Sequence, residues 1–262
     1  MRLNDTVYTF LFAGVVCLIC SLLVSTSAVA LRSRQDANKL LDRQQKVLAV
    51  SGLLGEGESL PAAEVQERFA KNIVPRVVNL DTGEYVPEDE IDPASFDQQK
   101  AAKDPERSEK APQNKAQVRR VPNNALVYQV VEDGEVTELI LPVEGKGLWS
   151  TLYGYLALDK DTTTIKGLTF YQHGETPGLG GEVDNPRWKS RWPGRQAYNE
   201  EWEPVIRVIK GPAGPPEEDP HSVDGLSGAT LTANGVTNLL QFWLGENGFG
   251  PYLENFREKG NQ

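Results

Sequence analysis

The chain has 262 residues, of which 39% are hydrophobic and 24% are charged, an ordinary balance for one or two globular domains. Its formal net charge of −10 argues against a nucleic-acid partner, because phosphate binding requires a clustered basic surface. Both cysteines, Cys17 and Cys20, lie in an apolar run near the start. The polar part of the chain therefore has neither disulfides nor thiolate ligands, and we expect no metal site.

The first element is an uncharged, mainly apolar segment between Asp5 and Arg32. About 20 apolar residues allow a helix to cross the hydrocarbon core of a bilayer. Residues 1–31 are therefore predicted to be a transmembrane anchor that contacts lipid through residues 6–31. A cleaved signal peptide is the alternative, because Ala28-Val29-Ala30 resembles a cleavage site, although the run exceeds the ~7–15 apolar residues of such peptides. Both interpretations predict that the rest of the chain lies outside the cytoplasm.

The charges that flank this segment predict the opposite orientation. Only Arg2 and the amino terminus precede the segment, whereas five basic residues follow it: Arg32, Arg34, Lys39, Arg43 and Lys46. Positively charged flanks usually stay in the cytoplasm. Charge alone therefore leaves the topology open.

The next elements alternate between helix, strand and polar loop. Residues 32–58 are predicted to form an amphipathic helix and a glycine-containing linker. A second helix is expected from about Leu60 to Lys71, with Ser59 as its cap, followed by a strand from Val74 to Val78. Residues 87–122 are rich in polar side chains and are predicted to be a polar insertion, a loop with some exposed helix.

The second half of the chain is dominated by predicted strands. They cover residues 125–131 and 136–143, which form a hairpin with a turn at 132–135, and residues 163–172 and 205–209. Residues 147–158 are predicted to be a buried strand or short helix, and residues 231–244 a helix. Residues 59–262 are thus predicted to form one α+β domain, with a mainly antiparallel sheet flanked by helices and preceded by a single transmembrane helix.

The strongest motif is Asp224-Gly225-Leu226-Ser227-Gly228-Ala229-Thr230, immediately before the last long predicted helix. Small residues at the start of a helix leave backbone N–H groups free to bind an anion such as phosphate. From spacing alone, capping of the helix by Asp224, Ser227 or Thr230 is the favoured explanation.

A second motif is the loop from His173 to Gly180, with the sequence HGETPGLG. Pro177 and Gly178 predict a turn, and the glycines allow the backbone to approach a flat ligand closely. An ordinary surface loop is the alternative.

These motifs resemble two sequences of FMN-binding domains: the D-x-x-[ST]-G-A-T motif that a separate transferase flavinylates, and the H-x-E-T-P-G-L-G loop. Together with the anchor and the segment from Gly145 to Trp149, they make the chain similar to the NqrC family, the C subunits of sodium-translocating NADH:quinone reductases. The similarity covers most of the chain and is weakest over residues 87–122. The G subunit of Rnf electron-transport complexes, which carries electrons between ferredoxin and NAD, shares both motifs and is one alternative. A membrane-anchored scaffold protein without flavin is another.

The resemblance implies a flavin mononucleotide (FMN) joined covalently to Thr230 through a phosphoester, with no catalytic acid or base. The flavinylation motif would consist of Asp224, Ser227, Gly228, Ala229 and Thr230. Further FMN contacts are expected from Gly228, Ala229, Leu231 and Thr232 at the phosphate, from Glu175, Thr176 and Leu179 at the ring or ribityl chain, and from Trp149 and Lys210. The alternatives are a core aromatic for Trp149 and a solvated charge for Lys210.

The resemblance also implies an electron-carrier subunit of a complex that oxidises NADH, reduces ubiquinone and transports sodium. Its partners would be subunits A, B, D, E and F and a flavin transferase that matures it. The FMN-binding domain would lie on the periplasmic side of the bacterial inner membrane. The chain has no G-x-G-x-x-G motif between a predicted strand and helix, so NADH is expected to bind elsewhere in the complex.

Overall fold

The structure, a computed structural model, describes residues 5–55 and 57–260. Of these residues, those up to Arg43 form one compact unit, and those from Gln44 onward form another. The first helix, α1, runs without interruption over Asp5–Val50. In the part of the chain that the structure describes, it is the one helix long and apolar enough to cross a membrane, as the predicted anchor requires.

A five-stranded sheet forms the centre of the second unit, and all its neighbouring strands are antiparallel. The strands of the chain are β1 (Ile73–Asn79), β2 (Ser108–Lys110), β3 (Arg120–Pro122), β4 (Asn124–Glu132), β5 (Glu135–Lys146), β6 (Thr151–Asp159), β7 (Ile165–Gln172), β8 (Arg207–Val208) and β9 (Ser222–Val223). The sheet order is β1-β4-β5-β6-β7. The predicted hairpin is confirmed as β4 and β5. Asp133 and Gly134 form its turn with φ of 52° and 87°, the backbone that a two-residue hairpin turn favours.

Helices cover both faces of this sheet, which confirms the predicted α+β class. The remaining helices are α2 (Ala62–Asn72), α3 (Gln98–Lys103), α4 (Pro186–Lys189), α5 (Thr230–Leu244) and α6 (Gly250–Gly260), with a 3-10 helix at Gly180–Asp184. On one face, α5 packs so closely on β5 that a Cβ at Gly145 would lie 2.5 Å from Cβ of Leu239. On the other face, Phe69 of α2 packs edge-on against Tyr128 of β4.

Several local predictions are corrected by the structure. Helix α2 has Pro61 rather than Ser59 at its N-cap, because the fixed φ of proline suits a helix start and Ser59 lies two residues too early. The strand predicted at 205–209 is shorter and consists of β8 alone, which pairs in parallel with β9, a strand that was not predicted. Of the two alternatives for residues 147–158, the strand is confirmed as β6, but it begins only at Thr151.

The polar insertion contains more structure than the predicted loop and exposed helix. Helix α3 is capped by the side chain of Asp97, and β2 pairs with β3 as a small second sheet. Ala101, Ala116 and Val118 are buried. Small apolar side chains are enough to fix this segment to the domain, which a low content of large apolar residues does not reveal.

Candidate functional site

The carboxylate of Glu175 joins three separate segments of the chain. It accepts hydrogen bonds from the backbone N–H groups of Leu148, Trp149 and Ser150 at 3.2, 2.9 and 3.2 Å. It also accepts a 2.6 Å hydrogen bond from the hydroxyl of Thr232. The turn between β5 and β6, the loop after β7 and the first turn of α5 therefore meet at one side chain.

These hydrogen bonds keep Glu175 charged inside the protein. The residue is only 5% exposed, and burial by itself raises the pKa of a carboxyl group. The hydrogen bond from Thr232 and those from the three backbone N–H groups act in the opposite direction and prevail, so the pKa of Glu175 lies below its usual value. A carboxylate that accepts four hydrogen bonds holds these segments together firmly, because hydrogen bonds to charged groups are about twice as strong as those between neutral groups.

The absence of a side chain at Gly180 makes this junction possible. A Cβ there would lie 2.5 Å from Oγ1 of Thr232 and 2.8 Å from Oε2 of Glu175. Cβ atoms do not approach other atoms so closely, and both neighbours are held in place by their mutual hydrogen bond. Packing therefore requires a glycine at position 180 of the second motif, whether or not a ligand also approaches there.

His173 holds the other end of the same loop. Its Nδ1 accepts the backbone N–H of Glu175 at 3.2 Å, so the proton sits on Nε2, which donates to the Asp184 carboxylate at 2.8 Å. Both ring nitrogens are used within the protein. The arrangement gives His173 a structural role.

Thr230 is the first residue of α5, and it is exposed. The N-cap residue is Ala229, and no side chain caps the helix. Capping of α5 by Asp224, Ser227 or Thr230, the explanation that spacing alone favours, is therefore wrong. Asp224 is engaged elsewhere: it accepts the backbone N–H of Ala213 at 2.9 Å, and Arg191 lies 3.5 Å away.

A cavity of about 350 Å³ opens beside Thr230. Its lining includes the exposed side chain of Lys210, together with Ser227, Gly228 and Asn234. The structure thus brings Lys210 to the cavity beside Thr230, although 20 positions separate the two residues in the sequence. Asn234 was not identified from the sequence, although it lies four residues after Thr230 and so on the same face of the helix.

The Lys210 segment is fixed against both α5 and the motif. The backbone N–H of Val208 donates to the hydroxyl of Thr237 on α5 at 2.9 Å. Gly225 packs directly on the carbonyl of Ile209, where a Cβ would not fit. The cavity beside Thr230 is therefore formed by tertiary packing rather than by the motif alone.

Four exposed apolar side chains of the described residues belong to the segments that meet at Glu175. They are Leu148, Trp149, Leu179 and Leu231. Trp149 is 66% exposed, so the alternative of a core aromatic is wrong. Leu179 reaches the first motif, since a Cβ at Gly228 would lie 3.0 Å from its Cδ2. Exposed apolar groups on segments that meet in this way typically mark a binding surface.

The other predicted contacts divide by exposure. Thr176 is exposed, and its carbonyl accepts the N–H groups of Leu179 and Gly181. Ala229 and Thr232 are buried, so they lie beneath the exposed surface of the site and support it.

The site coincides with a known domain. The family model of the FMN-binding domain matches residues 147–245, a segment that contains Glu175, Lys210 and Thr230. The fold and the site therefore define an FMN-binding domain that follows, along the chain, a helix that could span a membrane.

Full-length relatives specify the family further. The chain is 46% identical over 261 residues to the C subunit of the Na(+)-translocating NADH-quinone reductase of Yersinia pestis, covering 98% of this chain and 96% of that protein. It is 48% identical to the protein of the same name from Pseudomonas aeruginosa, covering 97% of each. The chain belongs to this family, the C subunits of Na(+)-translocating NADH-quinone reductases, which are oxidoreductases. This confirms the choice of that family over the Rnf alternative.

Solved structures agree with this assignment. NqrC of Shewanella oneidensis matches with a TM-score of 0.77 and 36% identity, covering 85% of this chain and 99% of that chain. The C subunit of the Na(+)-translocating NADH-quinone reductase of Parabacteroides distasonis matches with a TM-score of 0.65 and 28% identity, covering 85% and 96%.

Proposed function

We propose that this chain carries electrons within a sodium-translocating NADH:ubiquinone reductase through an FMN joined by a phosphoester to Thr230. The observation that carries the proposal is the exposed hydroxyl of Thr230 at the uncapped start of α5, beside a cavity that Lys210 also lines. The FMN-binding domain of the family supports the identity of the cofactor.

The phosphate end of FMN fits the start of α5. The first N–H groups of a helix have no partner within it, and the helix dipole stabilises an anion there by about 0.3–1 kcal/mol. The ammonium group of Lys210 adds a positive charge to the same cavity. Gly228, with a φ of 69°, lets the chain turn into the helix without a side chain in the way.

The ring of FMN fits the exposed apolar residues Trp149, Leu179 and Leu231. Aromatic and aliphatic side chains are the usual lining for a flat ligand. Glu175 and Thr232 act beneath them: their hydrogen bond holds the turn that carries Trp149 against the helix that carries Thr230. Thr176 supports the same loop through its carbonyl.

Bound FMN would supply the redox chemistry, and this chain would supply its position and its surroundings. A threonine hydroxyl is a weak nucleophile at neutral pH and needs an activating base. A separate flavin transferase would therefore supply the base, and its donor substrate would be an activated flavin phosphate. The bond from Oγ1 of Thr230 to phosphorus would form as the bond from phosphorus to the activating group breaks and that group leaves. The remaining partners would be subunits A, B, D, E and F.

Mass spectrometry of the tryptic peptide that contains Thr230 tests the attachment directly. Protein produced together with a flavin transferase should show a mass increase equal to FMN minus water, and Thr230→Val should abolish the increase. Thr232→Ser is the matched control, because it keeps a hydroxyl at the buried position and should leave the modification intact. An unmodified wild-type peptide would refute the covalent flavin and favour a scaffold protein.

We also propose that the FMN-binding domain faces the periplasm, contrary to the charge count around α1. Partner subunits can impose a topology that flanking charges alone do not favour. A protease added to the cytoplasmic face of sealed membrane vesicles should leave the domain intact. Digestion from that face would show the opposite orientation.

A further inference from the structure

A wide cleft of about 1,040 Å³ lies between the polar insertion and the ends of β5 and β6. Among the residues that the structure describes, five basic ones line it: Lys103, Lys110, Arg119, Arg120 and Lys146. Within the same described ranges, Glu144 is the one acidic residue in the lining. The formal net charge of the whole chain is −10, so this positive concentration runs against the rest of the molecule.

The insertion forms a fixed wall for this cleft. The side chain of Asn114 bonds to the backbone of Val118 in both directions, at 2.9 and 3.0 Å, and so closes the loop between them. The carbonyl of Ala116 accepts the backbone N–H of Lys146 from β5 at 2.8 Å. The loop is thus attached to the central sheet, and the spacing of the charges is set by the fold.

The basic side chains of the cleft fall into two groups. Arg120 donates to Ser108 at 2.7 Å, and Lys146 donates to the carbonyl of Trp149 at 3.0 Å. Lys103, Lys110 and Arg119 are exposed, and none of the ion pairs within residues 5–55 and 57–260 involves them. Three positive charges therefore face the solvent from one concave surface.

Glu144 can offset at most one of these charges. Burial raises the pKa of its carboxyl group to about 7, although Lys103 acts in the opposite direction. Near neutral pH a substantial fraction of Glu144 is therefore uncharged. The cleft keeps an excess of positive charge.

We propose that this cleft docks an acidic segment of another subunit of the reductase complex. Its volume is at or above the upper end of the roughly 300–1,000 Å³ of small-molecule pockets, and its charges are spread over an extended surface. Charge complementarity of this kind sets orientation and association rate between protein partners. The inference rests on the chain being one subunit of a complex and does not depend on how FMN is attached.

The cleft adjoins the candidate flavin site through one residue. Lys146 lines the cleft, and its ammonium group holds the carbonyl of Trp149 in the turn between β5 and β6. A segment docked in the cleft would therefore place its subunit next to the exposed face of Trp149. Such a position suits an electron-transfer partner.

Carbodiimide cross-linking of the intact membrane complex tests the proposal. This reagent joins a lysine ammonium group to a carboxylate only when the two are in contact. Peptide mass spectrometry should find Lys103 or Lys110 linked to an aspartate or glutamate of a different subunit. Links only within this chain, or only to a second copy of it, would overturn the proposal, as would unlinked Lys103 and Lys110 while other lysines are cross-linked to other subunits.

Charge reversal provides a second test with a matched control. Lys103→Glu with Arg119→Glu should lower, by about twofold or more, the NaCl concentration that releases half of this chain from the purified complex. Lys71→Glu with Lys160→Glu changes the net charge equally at exposed positions outside the cleft and should leave that concentration unchanged. Equal effects of the two pairs would overturn the proposal. The mass of the Thr230 peptide is measured on the same samples, so a failure of flavin attachment is detected separately.

Discussion

The hydroxyl of Thr232 donates a 2.6 Å hydrogen bond to Oε2 of Glu175, and the two residues are 57 positions apart in the sequence. Both are buried, so water does not replace this bond when it is lost. It connects the helix that begins at Thr230 to the loop that supports Trp149. The two halves of the candidate site therefore depend on a single polar contact between loop and helix.

Replacing Thr232 by valine should destabilise the protein by about 1.5–3 kcal/mol, because a buried charged acceptor loses one of its four donors. Thr232→Ser keeps the donor and should cost clearly less. Urea denaturation of the full chain in detergent, followed by tryptophan fluorescence, measures both variants. Valine keeps the methyl group of threonine and serine keeps its hydroxyl, so a loss for valine no larger than that for serine would contradict a dominant role of the hydroxyl.

Gly180→Ala should disrupt the same junction from the other side. The new methyl group would overlap Oγ1 of Thr232 and Oε2 of Glu175, and overpacking of this kind typically costs about 1–3 kcal/mol. Gly214→Ala is the control, because its Cβ would meet the nearest atom at 3.6 Å, an ordinary contact. In thermal denaturation, Gly180→Ala should have a lower melting temperature than wild type, and Gly214→Ala should not. A Gly180→Ala protein as stable as wild type would mean that the junction can rearrange.

Trp149→Ala should leave the stability nearly unchanged, within about 0.5 kcal/mol, since the side chain is 66% exposed. In flavinylated protein the same change should alter the flavin absorption and fluorescence spectra, because an aromatic neighbour of the ring is removed. Trp202→Ala removes another exposed tryptophan, one that packs on Arg257, and should leave the flavin spectra unchanged. Identical spectra for wild type and Trp149→Ala would place the ring elsewhere.

Glu138→Gln should stabilise the protein at high pH but not at low pH. Burial raises the pKa of Glu138 to about 7, against the effect of Lys166, while Asp159 and Glu132 add to the increase. A carboxyl group with a raised pKa favours the folded state below about pH 4.5 and loses that contribution as the pH rises to 7. Glutamine removes the cost of ionising this group.

The expected gain for Glu138→Gln at pH 8 is about 1–2 kcal/mol, less than the full shift implies because the group is partly solvated and Lys166 loses a partner. At about pH 4.5 the difference should be close to zero. Denaturant unfolding at the two pH values measures it. Glu135→Gln, an exposed residue of the same hairpin, should change the unfolding free energy by less than about 0.5 kcal/mol at either pH. A gain that does not depend on pH would contradict the assignment.

Local patterns predicted the elements whose signals are contained in a few neighbouring residues. The β4–β5 hairpin follows from alternating apolar residues around Asp133-Gly134, and α5 follows from helical spacing after Thr230. Both motifs are contiguous, so the sequence predicted where they begin and end. The predicted cap of α2 and the predicted length of β8 were wrong, because the point at which an element ends depends on contacts with residues outside that element.

The sequence by itself determined the residue types of the candidate site: a threonine directly before a predicted helix, a glycine-rich loop and an apolar anchor that could span a membrane. Only the tertiary structure decided that Glu175 and Thr232 face each other in the interior, that Lys210 and Asn234 share a cavity with Thr230, and that the insertion forms a basic cleft. The reason is that these relationships join residues distant along the chain. They arise from how the sheet, the loops and α5 pack, which no local pattern encodes.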